Sequence, residues 1–340
     1  MQKLIRLLSD MRAVSGNEYR INSEIKKLFA PYCDEVKIDN LGSVIALKKC
    51  GRENAPKLMI EAHIDEIGLM VTSVTDNGYI TFADVGGVDE RILPSLEVTV
   101  HGKRDIKGII TVPDGGDETK SFKNEELAID TSLAKDEILK IISVGDTITL
   151  PQSVGKLGDN QLSLKTMDDR ASVAVLIDVM KRISSLDLSC DVYAVAAVQE
   201  EVGCRGGKTT AFSVSPDMAI AIDVTHGITP DNEKNAFKLG SGVVISKGPN
   251  LHPSLTAEIE RTAQEHNIKY SIDIDGGCTG TDAWEIQVAG DGVPVSLLSI
   301  PLKYMHTSVE TLSVDDVQAV SDVLYEFIKS RKGDMSWIAL

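Results

Sequence analysis

The sequence is poor in cysteine and in aromatic residues. Its five cysteines are odd in number and widely spaced, without a CxxC pair, which argues against a disulfide framework or a thiolate zinc site. Aromatic residues make up only 4% of the chain, and two residues are tryptophan. Because carbohydrate clefts commonly use aromatic side chains as platforms, this composition argues against a sugar-binding enzyme.

Positive charge and long apolar runs are also scarce. Thirty-five Lys and Arg residues against 51 Asp and Glu residues give a net charge of −16, which repels phosphate backbones and anionic membrane surfaces. No apolar run is long enough to span a bilayer. The start, MQKLIRLLSDMRAV, interleaves charges with apolar residues, unlike a signal peptide. We therefore expect no nucleic-acid partner, no membrane association and a cytoplasmic location.

The 340 residues, 42% of them hydrophobic, are enough for a large domain and a second, smaller one. Hydrophobic spacing predicts helices at 1–14, 17–30, 171–183, 253–267 and about 314–331, and strands at 44–49, 191–199, 218–224 and 292–300. The segment 58–71 begins as a further buried strand, which we expect to end at 63–65. This alternation predicts an α/β fold in which helices flank a mixed sheet.

The stretch from 72 to 164 differs in composition from the segments around it. It is rich in Gly, Thr and Val and has turn signals such as the glycine pair at 86–87. It predicts an inserted β-rich domain. The expected domains are therefore a discontinuous α/β domain at 1–71 and 165–340 and an insertion at 72–164.

Residues of metal-binding types stand at or just beyond the carboxyl ends of the predicted strands, where open α/β sheets bind ligands. They are His63, Asp65, Glu200, Glu201, Asp223 and His306, with Asp168 just before a predicted helix. Each residue alone is weak evidence for a metal site, since a lone histidine or acidic pair usually lies on an ordinary surface. Their recurrence favours one metal site. Imidazoles and carboxylates without thiolates suit Zn first, then Co or Mn, and a bridging carboxylate would make the site dinuclear.

Spacing alone leaves several roles open. His63 and Asp65 are two apart, so Asp65 either orients the His63 ring or turns the chain. Glu200 and Glu201 serve different roles only if the strand ends there. Asp282, in the segment GTDA (280–283), belongs either to a turn or helix start or to a substrate pocket.

Six segments carry a family resemblance. They are AHIDEIG (62–68), MDDR (167–170), EEVGCRGG (200–207), AIDVTH (221–226), GTDA (280–283) and YMHTSVE (304–310). Taken in this order, they resemble the tetrahedral and glutamyl aminopeptidases, a family of dinuclear metallopeptidases in which some relatives are labelled endoglucanases. The match runs over most of the chain, including the β-rich insertion.

The resemblance implies two divalent metal ions per subunit and peptide substrates with free N-termini. Asp168 would bridge the ions, with His63 and Asp223 on one and Glu201 and His306 on the other. By the same resemblance, Glu200 is the general base and Asp65 orients a ligand. The insertion corresponds to a dimerisation domain, and relatives form dimers or tetrahedral dodecamers.

Some positions depart from the family's commoner pattern without removing a ligand; they are Ser172, Cys204, Lys303 and Ser308. We expect Lys303, like Asp282, to contribute to substrate binding, and His226 to be structural. Two other functions stay open at this point. One is a glycoside hydrolase of the endoglucanase type, and the other is a non-catalytic, metal-dependent oligomeric scaffold.

Overall fold

The computed structural model describes residues 1–112, 123–152 and 155–331, so parts of both expected domains lie outside the described residues. The strands are β1 (Glu35–Ile38), β2 (Val44–Lys48), β3 (Lys57–His63), β4 (Gly68–Val74), β5 (Tyr79–Val85), β6 (Glu97–His101), β7 (Asp105–Ile110), β8 (Ile129–Asp130), β9 (Thr147–Thr149), β10 (Gly155–Leu157), β11 (Gln161–Leu164), β12 (Asp191–Ala197), β13 (Met218–His226), β14 (Val243–Lys247), β15 (Tyr270–Ile274), β16 (Val295–Lys303) and β17 (Glu310–Ser313). The helices are α1 (Gln2–Ser9), α2 (Asn22–Phe29), α3 (Lys135–Ile141), α4 (Met167–Ile183), α5 (Arg205–Val214), α6 (Pro253–Glu265), α7 (Asp282–Gln287) and α8 (Val314–Ser330).

The larger unit is built on a mixed sheet with the strand order β1-β2-β12-β3-β13-β16-β17-β11-β10. Strand β14 joins it beside β16, and β15 pairs with β14. The central strands β12, β3, β13 and β16 are parallel to one another, and a parallel centre covered on both faces explains why these segments are almost continuously apolar. The predicted mixed α/β fold is confirmed.

Side chains of successive strand residues enter different cores, as the two-residue period of a strand requires. In β3, Leu58 and Ile60 pack in the core beneath α1, α4 and α8, whereas Met59 packs on the opposite face with residues of α5 and α7, among them Ala211 and Ile286. Helix α4 is buried along nearly its whole length. Both faces of the sheet are therefore covered by helices.

A closed six-stranded barrel, β4-β5-β8-β7-β6-β9, forms the second unit and has its own apolar core around Leu69, Val100, Ile129 and Ile148. The strand expected to end at 63–65 is β3, which ends at His63, and the chain then crosses at residues 64–67 into β4 of the barrel. Strands β10 and β11 pair with the large sheet. The division into domains at 72 and 164 stays a prediction.

The segment that follows β3 is anchored by buried charges. Arg170 donates to the carbonyl oxygens of Ile64 (2.9 Å) and Leu8 (2.9 Å), and Lys165 pairs with Glu66. Buried cations of this kind are stable only when paired. The network therefore fixes the backbone immediately after His63.

In the part of the chain that the structure describes, no helix is long and apolar enough to cross a lipid bilayer.

Candidate metal centre and active site

The carboxyl ends of the four central parallel strands meet at one edge of the sheet, which is where such sheets bind ligands. Strand β3 ends at His63, and β13 carries Asp223 in its last half. The turn after β12 bears two adjacent glutamates, the loop after β16 bears His306, and α4 delivers Asp168 from the side. The structure thus brings together His63, Asp168, Glu200, Glu201, Asp223 and His306.

Asp168 lies between two imidazoles. Its Oδ1 is 3.2 Å from His63 Nε2, and its Oδ2 is 3.3 Å from His306 Nε2. His306 Nε2 is also 3.3 Å from Glu201 Oε2. A carboxylate that presents one oxygen to each of two histidines has the arrangement that a bridging ligand needs.

The carboxylates at this edge carry more negative charge than the two histidines can balance. Ligand atoms of His63, Asp169 and Asp223 lie within 4.8 Å of one another. Burial, and then repulsion from neighbouring carboxylates, raises the pKa of Asp169, Glu201 and Asp223 well above the usual range. Asp169 Oδ1 has no hydrogen-bond partner among the described residues. Oxygen and nitrogen donors crowded in this way fit divalent cations.

Asp65 organises the first histidine and the glutamate turn together. His63 Nδ1 lies 3.3 Å from Asp65 Oδ1, and the same carboxylate accepts the backbone N–H groups of Glu200 (3.1 Å) and Glu201 (3.2 Å) and the hydroxyl of Ser15. Burial opposes ionisation of Asp65, but the contact with His63 and these donors hold its pKa below the usual value. Both roles that spacing left open for Asp65 are compatible with this geometry.

A backbone group of the barrel unit orients the second histidine. His306 Nδ1 donates to the carbonyl oxygen of Gly87 at 2.9 Å, and this contact orients the ring so that Nε2 faces Asp168. Gly87 follows β5. The sequence predicted only a turn at the glycine pair 86–87. The two residues are 219 positions apart, and spacing carries no signal over that distance.

The Gly87→Ala variant is expected to lose about 10- to 100-fold in affinity for Zn²⁺, the usual cost of disturbing an outer partner of a ligand. The reason is steric, since a Cβ at this position would lie 2.9 Å from His306 Nδ1. Competition with a chromogenic chelator measures the affinity. Gly277→Ala is the matched control, because a Cβ there meets no atom within 4 Å. Equal Zn²⁺ affinities for the two variants would contradict the role given to Gly87.

Glu310 is a second contributor that sequence analysis missed. This buried carboxylate accepts the backbone N–H groups of Met167 (2.6 Å) and Asp168 (3.0 Å) with one oxygen and that of His306 (3.1 Å) with the other. It therefore ties the start of α4 to the loop after β16. Only its place in the segment YMHTSVE marked it in the sequence.

Glu200 faces the cavity beside these ligands. Its Oε2 lies 3.9 Å from His63 Nε2, and its Oε1 accepts from Cys204 Sγ at 3.3 Å. Burial, partly offset by His63, raises the pKa of Glu200 to about 7. Burial also raises the pKa of the Cys204 thiol, so the sulfur stays protonated and can donate. The cysteine that departs from the family pattern thus contacts the expected general base.

Two of the other residues singled out in the sequence lie outside the cavity lining. Asp282 begins α7 and is buried; burial raises its pKa to about 6. It is not among the cavity-lining residues, and neither is Lys303, whose Cγ packs against Gly227. His226, expected to be structural, lines the cavity. Of the departures, Ser172 is buried in α4 and Ser308 lies in the turn after the second histidine.

A cavity of about 560 Å³ opens over the carboxylates and His306. Its remaining wall is formed by residues 224–226, the end of β15 and the loop before α7. A space of this size and depth accommodates a small organic group in direct contact with the ligand cluster.

Known proteins share the sequence pattern and the architecture of this chain. The sequence pattern of the M42 glutamyl aminopeptidases matches residues 42–323. The lysyl aminopeptidase of Pyrococcus furiosus is 31% identical over 93% of this chain and 93% of its own. An aminopeptidase from the archaeon Desulfurococcus kamchatkensis superposes with a TM-score of 0.92 at 34% identity, covering 99% of this chain and 96% of that one.

A third similar protein is the Pyrococcus horikoshii TET1 peptidase, which is described as assembling into a tetrahedron or a large octahedral shell. It superposes with a TM-score of 0.86 at 28% identity, covering 97% of this chain and 99% of its own. With a family pattern that spans most of the chain and relatives of matching length, the protein belongs to the M42 glutamyl aminopeptidase family.

Proposed function

We propose that this protein is a metal-dependent aminopeptidase that removes residues from the free N-termini of peptides. One observation carries the proposal beyond family membership. The two carboxylate oxygens of the buried Asp168 each face the Nε2 atom of a different histidine, His63 and His306, in a cluster where carboxyl groups outnumber imidazoles. This is the geometry of a centre for two cations that share one carboxylate.

In the proposed centre, His63, Asp168 and Asp223 would hold one divalent ion, and Asp168, Glu201 and His306 would hold the other. Zinc is the first choice, with cobalt or manganese as alternatives, because the donors are imidazoles and carboxylates. When bound, such a pair of ions polarises the scissile carbonyl and lowers the pKa of water toward neutrality.

Glu200 is the proposed general base. Its carboxylate borders the cavity and lies close to the ligand cluster without belonging to the proposed ligand set. It would accept a proton from the attacking water and return it to the leaving amine. The Cys204 thiol and the Asp65-bound turn hold it in place from either side.

The two rival functions have less support. A glycosidase needs two carboxylates across a sugar ring and has no use for paired imidazoles. A non-catalytic scaffold has no need of a buried glutamate whose side chain borders an open cavity beside the ligands, as Glu200 does here.

We also propose that the protein is a homo-oligomer, a dimer or a larger assembly up to a dodecamer, with the barrel as its dimerisation domain. The assembly described for the Pyrococcus horikoshii relative supports this. Sedimentation measures it, and a protein that stays monomeric at micromolar concentration would contradict it.

The function is tested by stripping the protein with a chelator, restoring Zn²⁺, Co²⁺ or Mn²⁺ separately, and assaying aminoacyl p-nitroanilides. N-acetylated substrates and carboxymethylcellulose serve as controls. We expect cleavage only of unblocked aminoacyl substrates and only after a metal is restored. Failure of every metal with every aminoacyl substrate would overturn the proposal, and reducing sugar released by stripped protein would favour a glycosidase.

A further inference from the structure

Two acidic side chains line the active-site cavity without belonging to the metal cluster. Asp273 lies in β15 and Asp275 lies just beyond its end. Residues two apart on an extended segment point to the same side, and both line the cavity that also contains Asp223 and His306. Both carboxylates can therefore contact a ligand that binds in the cavity.

No lysine or arginine among the described residues pairs with these two carboxylates. The side chain of Asp273 makes no hydrogen bond or ion pair there, and the side chain of Asp275 accepts only the backbone N–H of Gly277, at 3.0 Å. The lysine on the neighbouring strand, Lys247, is turned to Glu260 at 2.7 Å. Two carboxylates facing one cavity without a counter-ion favour a cationic occupant.

The rest of the cavity wall fits the same occupant. Within the described ranges, no lysine or arginine lines the cavity. Its wall also includes the apolar side chains of Val224 and Met305 and the small polar residues Thr279 and Thr281. A lysine or arginine side chain combines an apolar stem with a charged end, so it matches a wall that offers both.

We propose that the cavity selects peptides whose first residue is lysine or arginine, with Asp273 and Asp275 binding the ammonium or guanidinium group. This inference rests on the proposed aminopeptidase function and goes beyond it, because it names the substrate class.

The α-ammonium group of the substrate is the other cation that these carboxylates could bind, and the two cases differ in a measurable way. A contact with the α-ammonium is common to every substrate, so its loss lowers cleavage of all substrates equally. A contact with the side chain is lost only by lysyl and arginyl substrates.

The experiment compares the metal-loaded wild type with Asp273→Asn, Asp275→Asn and the double variant on lysyl, arginyl, leucyl and glutamyl p-nitroanilides. We expect the wild type to prefer the two cationic substrates. In the double variant, kcat/KM for these substrates should fall about 10- to 100-fold, mainly through KM, as loss of a charged hydrogen bond implies. Cleavage of the leucyl substrate should stay within about threefold.

Asp291→Asn is the control for net charge, because Asp291 is exposed and lies outside the cavity. An unfolding curve for each variant checks that the fold is intact. An unchanged lysyl-to-leucyl ratio in the double variant would overturn the inference, and so would equal losses on all four substrates. If the wild type cleaves leucyl substrates without preferring lysyl ones, only this inference fails; if it cleaves none, the proposed function fails with it.

Discussion

Glu200→Gln is expected to lower kcat for aminoacyl p-nitroanilides by a factor of about 10² to 10⁴, the usual contribution of a general base. Glutamine keeps the shape of the side chain and can still accept a hydrogen bond from Cys204, but it cannot take a proton from water. The Glu200 side chain stands next to the proposed ligands rather than among them, so bound metal should stay near two ions per chain. Steady-state kinetics and metal analysis by mass spectrometry measure the two quantities.

Glu233→Gln is the matched control, because it removes the same charge from an exposed residue outside the cavity. The combination of low kcat and full metal content is the diagnostic result. If Glu200→Gln turns over within about threefold of the wild type, another group is the base. If Glu200→Gln loses its metal ions, Glu200 acts as a metal ligand, and the proposed roles of Glu200 and Glu201 are exchanged.

Asp168→Asn is expected to abolish binding of both metal ions and to lower kcat/KM at least about 10³-fold, since metal-ion catalysis contributes several kcal/mol. The carboxylate faces both histidines, so an amide in its place weakens both positions together. The thermal shift that Zn²⁺ gives the stripped wild-type protein should disappear, because a ligand that does not bind the folded state cannot stabilise it.

Asp187→Asn is the control for this variant, because Asp187 is exposed and does not line the cavity. Loss of one metal ion with retention of the other would show that Asp168 serves one position only. Retention of two ions and of the full thermal shift would remove Asp168 from the centre altogether.

The sheet and its ligand-bearing edge were predictable because their signals are local. Leu58, Met59 and Ile60 form an unbroken apolar run, which indicates a strand buried on both faces, and both faces are indeed covered. Parallel strands end at one edge, so residues such as His63 and Asp223 could be expected to meet there. No knowledge of side-chain packing was needed for that step.

Contacts that depend on the path of the chain between elements were not predictable. Glu310 reaches Met167 and Asp168 because β17 returns antiparallel beside β16. Asp273 reaches the cavity because β15 joins the sheet through β14, in a segment whose half-buried residues gave no strong strand signal. Each of these facts requires the tertiary arrangement.

The hydrogen bond from His306 to Gly87 has a consequence for protein engineering. The barrel cannot be treated as an interchangeable module, since one of its carbonyl oxygens completes the environment of a proposed metal ligand. A chimaera that takes its barrel from a relative has to keep both the glycine and the position of that carbonyl. Otherwise we expect the chimaera to fold but to bind the proposed metal ions more weakly.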